Sequence, residues 1–327
     1  MTAADSPIIV AVEANDESRG IVTRAARLAA QHQVPLHIIN VLPPIAEAYA
    51  DLNFTPFSEH TYQLFEAQRQ KQLETLHAQL GGITQAMEAA DINCDLQVLE
   101  GIPEQVINQH ARETGALMIV MGLHNHHGLS RLLGSTTANV LNHAPCDMLA
   151  VHPATDAANR IATDSTMETA PHKHVLVAVD ASSHCATVLV RATTFVSEAE
   201  QYVILSVIQP LTTIYAASHA GKSENLNFNQ IQGEIEQQCR QHVTTATANA
   251  GLDTHRIRLP LGDVKPQILA EAQDMQADLI VMGTNARGLM ARLLLGSTTR
   301  GILDRSPCDV YVVHNGADGE HADESIR

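Results

Sequence analysis

Short apolar runs alternate along the chain with longer segments of helical periodicity. The runs are continuous stretches of Val, Ile and Leu, and such runs are typical of strands buried on both faces of a parallel sheet. Five strands are predicted in each half of the chain. They cover residues 8–12, 36–41, 94–99, 117–121 and 148–151, and then 175–179, 202–208, 256–259, 279–282 and 310–313.

Helical segments fill the intervals between these runs. They are predicted over residues 18–31, 59–80, 104–112 and 135–142, with counterparts over 183–198, 230–250, 266–274 and 297–304. Strands that alternate with helices form a parallel sheet covered on both faces. The expected fold class is therefore α/β, with two tandem flavodoxin-like (Rossmann-like) domains, each a five-stranded parallel sheet with helices on both faces.

The two halves are copies of one domain. G-S-T-T occurs at 134–137 and again at 296–299, and P-C-D occurs at 145–147 and again at 307–309. A duplication of this kind places small insertions in loops. The predicted organisation is a first domain at 1–152, a linker at 153–173, a second domain at 174–314 and an acidic tail at 315–327.

The net charge narrows the choice of partners. The 327-residue chain has 20 basic and 36 acidic side chains, which give a formal charge of -16. This charge repels phosphate backbones and anionic lipid, so neither nucleic acid nor a membrane is expected as a partner. No apolar run approaches the roughly 18 residues that cross a bilayer, and the first residues lack the basic segment of a signal peptide. A cytoplasmic protein is expected.

A glycine-containing segment follows the fourth predicted strand of the second half. It reads G-T-N-A-R-G-L-M-A-R-L-L-L-G-S-T from Gly283, and a helix is predicted at its end. Open parallel sheets bind ligands beyond the carboxyl ends of their strands, where the strand order reverses. Nine residues separate Ala286 from Gly296. In this spacing the segment resembles the nucleotide motif of the universal stress protein family, G-x-x-G, nine residues, then G-S or G-T, with alanine at the second glycine.

The resemblance covers nearly the whole chain and implies a tandem universal stress protein. Its implied function is that of an ATP-binding regulatory module in the stress response, with ATP alone or with Mg²⁺ as ligand and a homodimer as a candidate assembly. Asp180 is then expected to contact the nucleoside and Val207 to lie beside adenine. The residues expected at the site are Ala178, Asp180, Val207, Met282, Gly283, Ala286, Arg287, Gly296, Ser297 and Thr298.

The first half departs further from this motif. Glu13 stands where the second half has Asp180, and Asn125 replaces the second glycine. Eight residues, 126–133, separate Asn125 from Gly134. The missing residue is expected to displace the phosphate turn relative to the base-binding residues by about 3.3 to 3.8 Å of chain. We interpret the first half as a degenerate site, in which nucleotide binding is less favoured than in the second.

Other interpretations of the same residues stay open. Ser or Thr in the G-S-T-T turns can cap a helix whether or not a ligand binds, and Asp180 can serve as a turn residue after a strand. His124, His126 and His127 suggest a metal site, but adjacent histidines rarely all face one ion. Five scattered cysteines include no C-x-x-C pair, so no metal ligand is predicted.

The sequence contains no recognised catalytic motif. No nucleophile, base and orienting residue recur together in both halves, and neither G-x-S-x-G nor H-E-x-x-H occurs. No catalytic residue is predicted and the chain is not expected to be an enzyme, although slow ATP hydrolysis needs only a positioned water. The alternative function is a nucleotide-independent stress adaptor that binds a metal or a small apolar ligand. Ala286, Asn125 and the shortened first loop favour that alternative.

Overall fold

The computed structural model describes residues 6–15, 18–43, 59–123, 133–152, 172–211, 228–284 and 296–314, without the side chains of residues 59–62 and 65. The chain divides into two compact units, Met1–Pro171 and His172–Arg327.

In the first unit, five strands form a parallel sheet in the order β3-β2-β1-β4-β5. Its elements are β1 (Ile8–Ala11), α1 (Ser18–His32), β2 (Leu36–Leu42), α2 (Glu59–Ala89), β3 (Cys94–Glu100), α3 (Pro103–Thr114), β4 (Met118–Gly122), α4 (Ser135–His143) and β5 (Asp147–Val151).

The second unit repeats this arrangement in the order β8-β7-β6-β9-β10, again with parallel pairs. Its elements are β6 (His174–Ala178), α5 (Cys185–Val196), β7 (Gln201–Leu205), α6 (Phe228–Asn249), a 3₁₀ turn (Thr254–Arg256), β8 (Ile257–Arg258), α7 (Val264–Asp274), β9 (Leu279–Gly283), α8 (Ser297–Leu303) and β10 (Asp309–Val313). The predicted α/β class, with two five-stranded parallel sheets and helices on both faces, is confirmed.

The strands form the core of each unit. Ile8, Ile9 and Val10 of β1 have no exposed surface, and neither have Val175 and Leu176 of β6. Since both faces of these strands are covered, no position along them has to be polar, which explains the continuous apolar runs.

The prediction for α2 was wrong at its end. The sequence predicts this helix over residues 59–80, and Gly81 and Gly82, which follow, are poor helix formers. The helix instead continues to Ala89. Leu76, Leu80 and Met87 are all fully buried, so apolar contacts on both sides of the glycines hold the helix together. Tertiary packing here outweighs a propensity cost of about 1 kcal/mol per glycine.

Gly101 and Gly262 occupy equivalent positions in the two copies of the domain, in the segments that follow β3 and β8. Gly101 follows β3 with φ +145°, and Gly262 follows β8 with φ +149°. The N–H of Gly101 donates to the Leu42 carbonyl at 2.9 Å, and that of Gly262 to the Ile208 carbonyl at 3.0 Å. The same positive φ angle, which residues other than glycine rarely adopt, therefore occurs at the same place in both copies.

A buried polar contact holds the first residues of the second unit. His172 Nε2 lies 3.0 Å from Asp309 Oδ2 of β10, and both side chains are almost completely buried. The carboxylate accepts, so this imidazole nitrogen donates. The ring also meets Phe195 edge-on, with centroids 5.8 Å apart. The aspartate of the second P-C-D therefore has a structural partner on the segment that enters β6.

Candidate functional site

The strand order reverses at one place in each sheet. In the second unit the chain moves outward from β6 to β7 and β8 and then returns to β9 on the other side of β6. The connections after β6 and β9 consequently leave the sheet in opposite directions, and a crevice opens between their carboxyl ends. Ala178 and Met282, the paired residues at this point, border the crevice.

Asp180 begins a tight turn in the loop that follows β6. Its Oδ1 accepts hydrogen bonds from the Ser182 N–H at 3.2 Å and from the Ser182 hydroxyl at 2.5 Å. The Ser182 oxygen in turn accepts from the N–H of His184 at 3.3 Å. The carboxylate is thereby fixed in direction while its residue stays half-buried at the rim of the crevice.

A histidine from a distant helix holds the same turn. His242 Nε2 on α6 lies 3.0 Å from the Ser182 carbonyl oxygen. A carbonyl oxygen can only accept, so this nitrogen carries the proton. Ser182, His184 and His242 were not among the residues predicted at the site. A serine two residues after an aspartate is a recognisable turn signal, but nothing in the sequence connects residue 242 with residue 182.

Gly283 lets the loop and α5 pack closely against the end of β9. A Cβ placed on Gly283 would lie 3.1 Å from Cδ2 of His184 and 3.2 Å from Cγ2 of Val188. These separations are tighter than ordinary van der Waals contact. Glycine at this position therefore has a packing role, in addition to any contact with a ligand.

A side-chain hydrogen bond joins the G-S-T-T turn of the second unit to the end of β9. The Thr299 hydroxyl donates to the Gly283 carbonyl at 2.9 Å, and the Gly296 N–H donates to the Thr284 carbonyl at 3.3 Å. Gly296 itself occupies the N-cap position of α8, and no side chain caps this helix. Helix capping by Ser297 is therefore not the role of the turn, and Ser297 is exposed.

The predicted site residues that the structure describes lie at or just beyond the carboxyl ends of strands, or at the start of α8. Ala178 ends β6, Asp180 begins the next loop, and Val207 lies two residues beyond the end of β7. Met282 and Gly283 end β9, and the turn of 296–298 leads into α8. Ala286 and Arg287 lie outside the described residues.

The corresponding turn of the first unit is anchored in the same way. The Thr137 hydroxyl donates to the Gly122 carbonyl at 2.9 Å, the distance found for Thr299 and Gly283. Gly134 at the N-cap of α4 has φ -57° and ψ 140°, against -59° and 144° for Gly296. The Gly134 N–H also donates to the Leu123 carbonyl at 3.3 Å, as the Gly296 N–H does to Thr284. These two hydrogen bonds fix the turn to the end of β4, so the expected displacement of this turn was wrong.

The first unit differs instead at its acidic residue. Glu13 is exposed, and its Oε2 accepts from the Asn15 amide at 3.3 Å. Behind it the buried Asn40 amide donates to the Val12 carbonyl at 2.8 Å. The counterpart of Asn40 is Ser206, whose hydroxyl lies 3.6 Å from the Cys239 sulfur. The two crevices therefore share a frame but present different polar groups.

The charge of Asp180 affects a buried cysteine of the second unit. Burial and, to a smaller extent, the charge of Asp180 together raise the pKa of the Cys185 thiol to about 12. This thiol consequently stays protonated at neutral pH. None of the five cysteines takes part in a disulfide.

Two further classes of site can be assessed over the described ranges. No group of three or more His, Cys, Asp and Glu residues there is placed to hold a metal ion. The histidines of H-N-H-H lie outside these ranges, as does Asn125. In the described part of the chain, no helix combines the length and the apolar character that crossing a bilayer requires.

Comparison with known proteins gives two family matches along the chain. The profile of the Universal stress protein family matches residues 6–152 and 171–314. Universal stress protein A homolog 1 of Coxiella burnetii is 28% identical over 145 residues, which are 44% of this chain and 94% of that protein.

Two solved structures match nearly the full length. A putative universal stress protein of Pseudomonas aeruginosa superimposes with a TM-score of 0.59 and 18% identity, over 95% of this chain and 94% of the other. A universal stress protein of Archaeoglobus fulgidus gives a TM-score of 0.58 and 18% identity, over 96% and 98% of the two chains. At this identity the likeness shows a common fold.

Proposed function

The chain belongs to the universal stress protein family as a tandem of two family domains, and from this premise we propose that it is an ATP-binding regulatory module of the stress response. We place the ATP site in the second unit. Nucleotide binding, rather than chemistry on a metabolite, is the proposed activity, and ATP binds alone or together with Mg²⁺.

The convergence of three segments at the crevice of the second unit is the observation that carries this proposal. The turn at Asp180, the end of β9 at Gly283 and the turn at 296–298 meet where a doubly wound sheet binds ligands. Two of these segments are held in place by hydrogen bonds of their own, so the crevice does not need a ligand in order to form. A preformed site loses less conformational entropy on binding.

Each segment offers a different chemistry to a nucleotide. The Asp180 carboxylate is an acceptor for ribose hydroxyls or for an amino group of the base. Half-buried Val207 offers apolar surface, which suits the face of a purine, whereas Met282 is almost completely buried and supports the end of β9 from within the core. The exposed Ser297 hydroxyl and the half-buried Thr298 hydroxyl offer donors to phosphate oxygens.

The first unit lacks the acceptor in the required position. Its longer Glu13 side chain is exposed and engaged with Asn15, whereas Asp180 is held against the crevice by Ser182. We therefore propose one ATP site in each chain. The nucleotide-independent adaptor is the contrary outcome of the same experiment.

Calorimetric titration of the nucleotide-stripped chain with ATP and Mg²⁺ tests the proposal. One site per chain is expected. Asp180→Asn keeps an oxygen for Ser182 but removes the charge, and it should weaken binding by about 10-fold to 100-fold, since a hydrogen bond to a charged group contributes about 1.5–3 kcal/mol. The matched variant in the first unit, Glu13→Gln, should leave the affinity unchanged.

A second pair of variants separates phosphate from nucleoside recognition. Ser297→Ala should weaken ATP binding but not adenosine binding, whereas Asp180→Asn should weaken both. Ser135→Ala is the control in the first unit. Absence of binding at millimolar ATP, or equal affinity in the wild type and Asp180→Asn, would overturn the proposal and favour the adaptor.

Three further parts of the proposal follow from the family. The protein acts in the cytoplasm, associates as a homodimer and is not a metabolic enzyme. Sedimentation velocity of the full chain tests the second part, and phosphate release from bound ATP tests the third. Release of many phosphates per chain within minutes would show an ATPase and contradict a purely binding role.

A further inference from the structure

Two histidines of the first unit touch at the end of the sheet opposite the crevice. His37 is the second residue of β2, and His110 lies in the C-terminal half of α3, which packs on this strand. Their nitrogens Nδ1 and Nε2 are 3.2 Å apart, and the ring centroids are 5.4 Å apart at an interplanar angle of 53°. Both side chains are half-buried. The contact lies away from the carboxyl ends of the first unit's strands.

A carboxylate lies on the same face. Asp95 on β3 is the direct neighbour of His37 in the parallel register, so the two side chains leave the sheet on the same side. Gln97, two residues further along β3, donates its amide to the Asp95 carboxylate. The negative charge of Asp95 acts on His37 from the neighbouring strand. A carboxylate therefore lies near the two imidazoles, but it is not placed with them as a third direct metal ligand.

The second unit shows that the fold does not require these histidines. Counting from the matched glycines, Gly101 and Gly262, places Glu271 at the position of His110. The strand register places Val203 at the position of His37. There Glu271 forms an ion pair with Arg258. The same corner of the scaffold is thus held by a charge pair in one copy and carries two adjacent imidazoles in the other.

Two neutral imidazoles in contact are a weak stabilising element. One nitrogen must donate and the other accept, and protonation of both would set two positive charges 3.2 Å apart. Because the two nitrogens share one hydrogen bond, the accepting nitrogen carries a lone pair and no proton. Lone pairs of neutral imidazole are the usual nitrogen ligands of transition metals.

We propose that His37 and His110 form a binding site for a divalent transition metal, with Zn²⁺ as the reference ion. Zinc binds imidazole nitrogen at about 2.0–2.1 Å with tetrahedral geometry, which requires two ligand nitrogens to lie about 3.3–3.4 Å apart. The observed 3.2 Å is close to this value. The donating imidazole moves its proton to its other nitrogen, so that both lone pairs face the ion and no proton is lost. Water completes the shell, and Asp95 accepts a hydrogen bond from it.

Zinc titration of the untagged full chain against a chromophoric chelator tests this site. The titration uses a background in which His124, His126 and His127 are replaced by Asn, since H-N-H-H would otherwise bind metal as well. In that background, His37→Gln and His110→Gln should each lower the zinc affinity at least tenfold. His143→Gln is the control, because its imidazole contacts only the Asn139 carbonyl among the described contacts.

A spectroscopic readout keeps the proposal falsifiable if a variant is unstable. Cu²⁺, which follows Zn²⁺ to such sites with higher affinity, should show electron paramagnetic resonance couplings from two imidazole nitrogens in the background protein and from one in His110→Gln. Equal zinc affinity in all three glutamine variants, or couplings that do not change in His110→Gln, would overturn the proposal. Neither measurement uses nucleotide, so the outcome is independent of the ATP site.

Discussion

The two strained glycines offer a test of how closely the copies resemble one another. Replacing Gly101 or Gly262 by alanine forces a Cβ onto a backbone with φ near +150°. At Gly101 the new atom would lie 2.6 Å from Cγ2 of Val106, and at Gly262 it would lie 2.9 Å from Nε2 of Gln267. The free-energy cost of backbone strain is therefore common to both positions, whereas the cost of the steric clash differs between them.

The magnitudes follow from what each neighbour can do. Backbone strain in this region costs of order 1–3 kcal/mol at either position. Val106 is β-branched and on a helix, so it has one favoured rotamer, and relieving the clash adds about 1–3 kcal/mol. Gln267 meets the new atom with the end of a flexible side chain, and a changed rotamer costs about 0.5–1.5 kcal/mol. Gly101→Ala should therefore destabilise its unit by about 0.5–1.5 kcal/mol more than Gly262→Ala destabilises the other.

Hydrogen exchange of the full chain, read by mass spectrometry, measures the two units separately. Protection of the central strand β1 should fall in Gly101→Ala by about 2-fold to 10-fold more than protection of β6 falls in Gly262→Ala. Gly82→Ala and Gly233→Ala are the controls, since a Cβ on either helical glycine meets no atom within 4 Å. They should leave protection unchanged or raise it. Equal losses in the two units, or a larger loss at Gly262, would refute the steric reasoning.

Three further predictions concern single contacts. Thr299→Val and Thr137→Val each remove the hydroxyl that anchors a G-S-T-T turn. Urea unfolding should show that each variant loses about 1 kcal/mol of unfolding free energy. Unchanged midpoints would mean that other contacts hold the turns. His172→Ala deprives the buried Asp309 of a donor, and the same assay should show about 1–3 kcal/mol lost. Burial raises the pKa of Cys146 to about 12. The unfolded thiol therefore ionises at a lower pH than the folded one, stability should fall as pH rises above about 9, and Cys146→Ala should flatten that decline.

The sheet could be predicted because its strands are buried on both faces. An apolar run such as Ile8-Ile9-Val10 can hardly be anything but a central strand when helical segments flank it, and the structure moves the ends of the predicted strands by only a few residues. The end of α2 could not be predicted in this way. What carries the helix past Gly81 and Gly82 is the burial of Leu80 and Met87, and burial depends on the tertiary structure.

The site was predictable only in its local parts. The turn residues were found because a motif places them next to one another in sequence, but the hydrogen bond from Thr299 to Gly283 spans 16 residues. The corresponding hydrogen bond of the first unit, from Thr137 to Gly122, explains why the shorter connection there does not displace its turn. His242 and Ser182 are 60 residues apart, and His37 and His110 are 73 apart. No periodicity or spacing links such pairs, because only the packing of helices on the sheet brings them together.

Comparison of equivalent positions in the two units distinguishes residues that stabilise the fold from residues that could recognise a ligand. Both units keep the threonine anchor, the N-cap glycine and the strained glycine, with nearly equal distances and angles. Features shared in this way hold the scaffold and cannot by themselves mark a nucleotide site. The informative positions are those at which the same scaffold carries different groups, namely Asp180 against Glu13 at one end of the sheet and His110 against Glu271 at the other. If ATP binds one unit and a metal ion the other, each ligand is recognised by residues that the other copy has replaced.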